Sequence, residues 1–249
     1  MSLSAAEWER YARQIGPGVL SRAGQERLKR STVLVTRVGG MGGPAAQALV
    51  MAGVGRVIIA HGGAMISADL NRQVLGSETG IGRLRAEHFA ARLRELNRFV
   101  AVESIDHEPD DAEADALAER CDLLIASPPN FAERLRLNRA AVRAGKPLVD
   151  AAQWGLGGTL IVVRPGETAC LACVYPEEPP FEEFFPVVGA ISSTIGSLAA
   201  LEAIKILSGT GEPLFGRMLV YDGLRGIPSL VALRRNAACP VCSASSPNR

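Results

Sequence analysis

The sequence predicts an α/β fold in which a Rossmann-like, mostly parallel sheet is covered by helices on both faces. A smaller antiparallel portion with a four-cysteine zinc site follows it. Three observations carry this reading. Short apolar runs alternate with helical patterns of 10 to 15 residues up to about residue 150, which is how βαβ units read. The first run enters a glycine turn, Val38-Gly39-Gly40-Met41-Gly42-Gly43-Pro44, and a helical stretch follows directly. Four cysteines fall in two C-x-x-C pairs in the last third of the chain.

Residues 4–15 and 20–30 set Trp8, Tyr11 and Ile15, then Leu20 and Leu28, at helical spacing, and Pro17 and Gly18 separate the two stretches. Two short helices therefore precede the first strand, Ser31–Thr36 (STVLVT). After the glycine turn, Ala45–Ala52 reads as a helix and Gly53-Val54-Gly55 stops it. Further strands read at Val57–Ala60, Val100–Ser104, Leu123–Ala126 and Pro147–Ala151, with helices over 84–96, 111–120 and 131–144. Beyond residue 151 the texture changes. Gly155–Val163, Arg217–Tyr221 and Ser229–Leu233 read as hairpin-type strands around one long helix, Ile191–Leu207.

A chain of 249 residues that is 47% hydrophobic can bury one sizeable core, so one domain over 1–249 is expected. Within it, 1–30 hold the N-terminal helices, 31–151 the Rossmann-like half and 152–249 the antiparallel half. Lys and Arg number 27 against 26 acids, which leaves no basic field of the kind that binds nucleic acid. The N-terminus carries charges where a signal peptide needs an apolar stretch, and no run of about 18 apolar residues is evident. The expectation is a cytoplasmic protein with no membrane contact.

Thiols stay reduced in that compartment, so five cysteines do not suggest disulfides. Cys170-Leu-Ala-Cys173 and Cys239-Pro-Val-Cys242 are two knuckles in turn-like surroundings, and each can direct two thiolates at one tetrahedral ion. Zinc is the expected metal. Four sulfur ligands leave no open position for a substrate, so its role is structural, tying the C-terminal tail to the domain. Cys121 reads as a buried apolar residue.

Several motifs occur in one order: Arg10-Tyr11-Ala12-Arg13-Gln14, the glycine turn, Asp69-Leu70-Asn71-Arg72-Gln73, Asn130-Phe131-Ala132-Glu133-Arg134, both cysteine pairs, and Leu201-Glu202-Ala203-Ile204-Lys205. In this set, from about Arg10 to Cys242, the chain resembles the ThiF/MoeB/HesA family. The resemblance implies a homodimer that uses ATP and magnesium to adenylate the C-terminal glycine of a ubiquitin-like sulfur-carrier protein, whose tail crosses the face of the sheet. It makes Arg72 and Arg85 the catalytic candidates, Arg85 standing where the family has lysine. It further implies that Gly39, Gly40, Gly42, Asp69, Gln73 and, from the partner subunit, Arg13 complete the nucleotide site.

The same resemblance exposes departures. Arg37 stands where the family's turn opens with glycine, and a side chain there takes space that the backbone yields to the nucleotide. His61 and Gly63 replace two acids, one of which serves the ribose hydroxyls. Asp69 replaces an asparagine, which brings a negative charge among the phosphates. Pro129 replaces the aspartate that coordinates magnesium and offers no side-chain ligand. The position of a transfer cysteine found in some members falls at Glu182.

Adenylation requires a carboxylate to attack the α-phosphate while metal and cations neutralise its charge. Losing one oriented electrostatic group costs ~100- to 1,000-fold in rate. The sequence therefore reads as a family member that binds a sulfur carrier with adenylation impaired or lost. The alternative is an active adenylyltransferase serving thiamin, molybdopterin or sulfur-metabolite synthesis. An NAD-dependent oxidoreductase is a remote third reading, because the G-x-G-x-x-G frame starts at Arg37 and no acid ends the second strand.

Overall fold

Eight strands join in one sheet in the computed structural model of the chain, which describes residues 2–180 and 185–243. Its first half is β1 (Thr32–Thr36), β2 (Arg56–Ala60), β3 (Ala101–Ile105), β4 (Leu123–Ala126) and β5 (Leu148–Trp154). β6 (Gly157–Val163), β7 (Arg217–Asp222) and β8 (Ile227–Ala232) complete it. The spatial order is β3-β2-β1-β4-β5-β6-β7-β8, parallel from β3 to β5 and antiparallel from there on. The helices are α1 (Ala5–Tyr11), α2 (Arg22–Arg30), α3 (Gly42–Ala52), α4 (Arg85–Leu96), α5 (Asp111–Glu119), α6 (Phe131–Ala144), α7 (Leu171–Val174) and α8 (Gly189–Ser208).

Successive strand residues face opposite sides, and both sides are buried. Val33 and Val35 of β1 join one apolar cluster with α3, α4 and α8, while Leu34 between them joins a second cluster with α5 and α6. The continuous apolar runs in the sequence have this origin. Local signals set the helix ends. Ser21 caps α2, Asp110 and Glu113 form a reciprocal capping box on α5, and Asn130 caps α6 by accepting from the Glu133 N–H. Gly53 and Gly145 end α3 and α6 in the left-handed conformation.

The antiparallel portion follows the parallel one as expected and continues the same sheet. Three details are corrected. β5 runs to Trp154, past the predicted end at Ala151, and pairs with β6 along its whole length, Leu148 to Val163 and Trp154 to Gly157. An unpaired β5 would leave a row of N–H and C=O groups without partners, and β6 supplies them. The helix expected to reach residue 15 ends at Tyr11, because Ile15 turns to bridge Leu20. Finally, α8 has the length and composition of a membrane span, with a mean hydropathy of 1.4, although no such stretch was evident in the sequence. Its apolar character has a packing cause: Ile191, Ile195, Ala199, Ala200 and Ala203 are buried between the sheet and α3. At Gly196 any side chain would collide with the Met41 carbonyl, so glycine is what lets α8 close on the start of α3.

On the other face, Arg134 of α6 is ion-paired with Asp150 of β5, and Nε donates to Oδ1 at 2.8 Å. Asp150 is completely buried and Arg134 nearly so. The guanidinium lies 4.3 Å from the centre of the Phe131 ring. Removing one partner of such a pair leaves an uncompensated charge out of water. Asp150→Ala is expected to destabilise the protein by about 3 to 5 kcal/mol, whereas Arg134→Met combined with Asp150→Leu should recover most of that loss. Urea unfolding of the three proteins checks this. A single variant within 1 kcal/mol of the parent, a threshold set by roughly the size of an exposed pair, would show that the pair contributes nothing.

Candidate functional site

β1 and β4 are neighbours in the sheet, yet α3 after β1 and α6 after β4 cover opposite faces. A crevice opens between two such strands at their C-terminal ends. Here it is a cavity of about 1000 Å3. The glycine turn, His61 and the Ser127-Pro128-Pro129 segment form one end. The face of β5, β6 and β7 forms the other, as far as Asp222.

At the turn, Arg37 has φ +53°, the one positive value at a non-glycine position among the described residues. An L-residue pays about 1 to 2 kcal/mol for that conformation. At Gly42 a Cβ would meet the Arg37 carbonyl oxygen at 2.6 Å, so the turn needs glycine there. The Arg37 side chain crosses the crevice: Nε donates to Glu133 on α6 at 2.8 Å, and Nη1 lies 2.6 Å from Glu108, in the segment between β3 and α5. Glu108 also accepts from the Gly62 N–H at 2.9 Å. Burial acts to raise the Glu133 carboxyl, but the Arg37 and Asn130 side chains hold it below the usual carboxylate range.

A second network lies beside the first. Asp69 is buried; its carboxylate accepts from Arg85 Nη2 at 2.6 Å, from Gln73 Nε2 at 2.7 Å and from the Ile66 N–H at 3.0 Å. Arg85 Nη1 turns to the Gly62 carbonyl at 3.1 Å. Gly63 has φ +78°, and a Cβ there would stand 2.8 Å from Arg85 Nη1, so an acid at this position would be strained and crowded. His61 is buried over Gly39 and packs against Phe89 with 6.1 Å between ring centroids. Burial and the Arg85 charge push its pKa down to about 4, so the ring is neutral at pH 7.

Of the sequence candidates, Gly39, Gly40, Arg72 and Gln73 line the cavity, with His61, Arg37 and Pro129 among the substituted positions. Gly42, Gly63, Asp69, Arg85 and Arg13 do not. Asp69 is thus not a charge exposed among bound phosphates: it is a buried partner of Arg85. Arg72 donates to the Ala68 carbonyl at 2.7 Å and stays partly exposed. Glu182 lies outside the described residues. Sequence reasoning missed Glu108, Ser127, Tyr175 and Asp222; only Glu133 left a signal, the Asn-x-x-Glu spacing of a helix cap. Among the described lining residues Asp222 is the one carboxylate, and it accepts from the Leu224 N–H at 3.0 Å. Of the described residues, three arginines (Arg37, Arg72, Arg134) and one carboxylate (Asp222) line the cavity, and behind them Glu108, Glu133 and Asp150 pair with Arg37 and Arg134.

The four cysteines converge on the other side of α6. Cys170, Cys173, Cys239 and Cys242 place their sulfurs within 4.8 Å of one another, a group that can hold a metal ion. Four thiolates ~2.3 Å from one tetrahedral ion stand ~3.8 Å apart. The pairs Cys170–Cys173, Cys170–Cys239 and Cys173–Cys242 are at 3.9, 3.7 and 3.4 Å. The first knuckle is not a plain turn, because Cys170 caps the one-turn helix α7 and Cys173 lies inside it. Asn138 of α6 accepts from the Leu171 N–H at 2.9 Å, and Tyr175, just past the knuckle, packs on Phe131 in the cavity wall. Cys121 is buried apart from this group, and burial pushes its thiol up to about 12.

Comparison with known proteins agrees with the geometry. The ThiF family model matches residues 11–241. Heterocyst HesA of Trichormus variabilis is 40% identical over 250 residues, covering 100% of this chain and 94% of its own. A sulfur carrier protein adenylyltransferase of Thermus thermophilus is 37% identical over 253 residues, covering 97% and 93%. Among solved structures, E. coli MccB with MccA-N7isoASN superposes with a TM-score of 0.83 at 21% identity, over 94% of this chain and 74% of that one, a likeness of fold. Motif order, sheet topology and this match over nearly the whole length agree: the chain belongs to the ThiF family.

Proposed function

We propose that this protein binds the C-terminal tail of a ubiquitin-like sulfur-carrier protein in the cavity, and that adenylation of the tail is impaired or lost. One observation carries the reading: two arginines at the turn end of the crevice, Arg85 among the expected phosphate contacts and Arg37 in the turn itself, are already paired within the chain, while Arg72 stays partly exposed. Arg85 is held by Asp69, and Arg37 by Glu108 and Glu133. Magnesium does not fit the residues present. Pro129 offers no ligand, and Asp222, the lining carboxylate, sits at the far end on β7. The relative named as a sulfur carrier protein adenylyltransferase supports a carrier as the partner.

Within this reading, Gly39, Gly40 and Gly42 shape the turn, Arg72 and Gln73 face the bound tail, and Asp69 and Arg85 brace them. Arg13, in the turn after α1 and away from the cavity, would serve the second subunit of a homodimer. The protein would act in the cytoplasm. The second reading, an active adenylyltransferase, draws on the surviving glycine turn, on Arg72 and on the same relative.

The four-thiol group fits zinc in donor type and spacing, with no open position for chemistry. Cys170, Cys173, Cys239 and Cys242 would hold the ion and fasten the C-terminal tail to α6 and α7. Metal analysis of untagged protein should give one zinc per chain, and Cys170→Ser should lower both the zinc content and the unfolding temperature. Less than about half an equivalent in the parent, well below the full occupancy of a structural site, argues against it.

For the nucleotide, each lost contact to a charged group costs about 1.5 to 3 kcal/mol, so two losses move a micromolar site to about millimolar. Calorimetry should show magnesium-ATP binding no tighter than that. Arg37→Gly with Pro129→Asp should tighten it at least tenfold by releasing the crevice and returning a metal ligand. Gly63 is a poor position for restoring an acid, given its backbone and Arg85. Micromolar magnesium-ATP binding by the unaltered protein, together with carrier-dependent pyrophosphate exchange, establishes the second reading instead.

A further inference from the structure

One short element stands between the four thiols and the cavity. α7 is a single turn, Leu171–Val174. A turn of that length has no stability of its own, since an isolated helix in water needs about 12 to 15 residues. Its position is therefore set by what holds it on each side. Cys170 caps it and Cys173 lies inside it, so two of the four converging sulfurs belong to this turn. On the side of α6, Asn138 accepts from the Leu171 N–H at 2.9 Å, and the Leu171 side chain is buried.

Tyr175 continues the same turn, its N–H donating to the Leu171 carbonyl at 2.8 Å. Its ring meets Phe131 edge-on with 4.8 Å between centroids, and the Arg134 guanidinium lies 5.7 Å from its centre. Phe131, Arg134 and Tyr175 all line the cavity. Tyr175 comes two residues after Cys173, so the backbone that directs a thiol into the metal group also directs the ring into the wall. The second knuckle reaches α7 from the end of β8. There the Asn236 N–H donates to Cys173 Sγ at 3.4 Å, and Arg235 donates to the Gly166 carbonyl at 2.7 Å and to the Cys242 carbonyl. An ion shared by both knuckles clamps α7 between α6 and the chain leaving β8. Without it, Asn138, Leu171 and the aromatic contact are left to hold the turn.

We infer that the four-thiol site and the cavity are linked through α7: zinc on Cys170 and Cys173 orders the turn, and the turn sets Tyr175, a positioning residue, against Phe131 in the ligand-facing wall. This rests on the zinc reading above and adds that metal occupancy controls the shape of the cavity. Coupling of this kind is reciprocal. The contact that zinc supports also prearranges Cys170 and Cys173 for zinc, and an edge-on aromatic pair is worth roughly two- to tenfold in affinity.

The full chain is tested by competition for zinc with a chromogenic chelator. Tyr175→Ala and Phe131→Ala should each bind zinc about two- to tenfold more weakly than the parent. The double variant should bind no more weakly than the weaker single one, because the same contact is lost in all three. Tyr175→Phe keeps the ring and should bind like the parent. On the cavity side, fluorotyrosine labels the three tyrosines, and Tyr175→Phe identifies the Tyr175 resonance. Stripping zinc should shift that resonance and leave Tyr11, buried beside Asn97, in place. Thermal unfolding shows which variants are folded; should one alanine variant fail, the other and the resonance decide. A loss of less than roughly twofold in the alanine variants overturns the inference, as does full additivity in the double variant or an unmoved Tyr175 resonance. If stripping zinc moves all three resonances to their unfolded positions, the ion holds the whole domain and the inference is overturned too. If the parent binds no zinc, the zinc reading falls, and this inference with it.

Discussion

A carboxylate buried at the C-terminal edge of this sheet, as Asp150 and Asp69 are, has to be neutralised within the chain because water does not reach it. The effective cost of an unpaired buried ion is several kcal/mol, comparable to the whole stability of a domain. Asp150 meets the condition through Arg134, Asp69 through Arg85, and Arg37 through two glutamates on separate elements. These pairs hold the crevice loops in register: Glu108 also fixes the Gly62 amide, and Asp69 also fixes Gln73 and the Ile66 amide. The left-handed backbone at Arg37 is tolerated on the same terms, since its guanidinium bridges both sides of the crevice.

α6 connects these features. Asn130 caps it, Glu133 reaches Arg37, Arg134 holds β5 and Asn138 holds α7. The first cysteine knuckle and the cavity wall are therefore both held by one helix. Whatever fixes the thiols also fixes Tyr175 against Phe131, on the cavity side. A structural ion at the cysteines would thus brace the ligand-facing wall as well as the C-terminal tail.

A fold is held by many contacts and a reaction by few, so family membership by itself does not decide the chemistry of the crevice. In this protein Arg85 and Arg37 are held in ion pairs within the chain, while Arg72 lines the cavity and stays partly exposed.

The order of elements was legible in the sequence because it depends on local rules. Two-residue alternation, helical spacing, capping residues and glycine stops placed nearly every strand and helix within a few residues. The C-x-x-C pairs announced a shared site, since each spacing already converges two thiols. The substitutions at Arg37, His61, Gly63, Asp69 and Pro129 were also legible, as departures from a motif. What those residues do was decided by the tertiary structure alone. That Arg85 is held by Asp69, that Arg37 spans Glu108 and Glu133, and that Gln73 donates to Asp69 all depend on contacts made in the folded crevice. The same holds for the far end of β5, which local pattern stopped at Ala151 and which pairing with β6 extends to Trp154. Local spacing fixes which way a residue faces within its own element. Only packing determines which charge stands opposite, and in a buried crevice the opposite charge determines what remains free to bind.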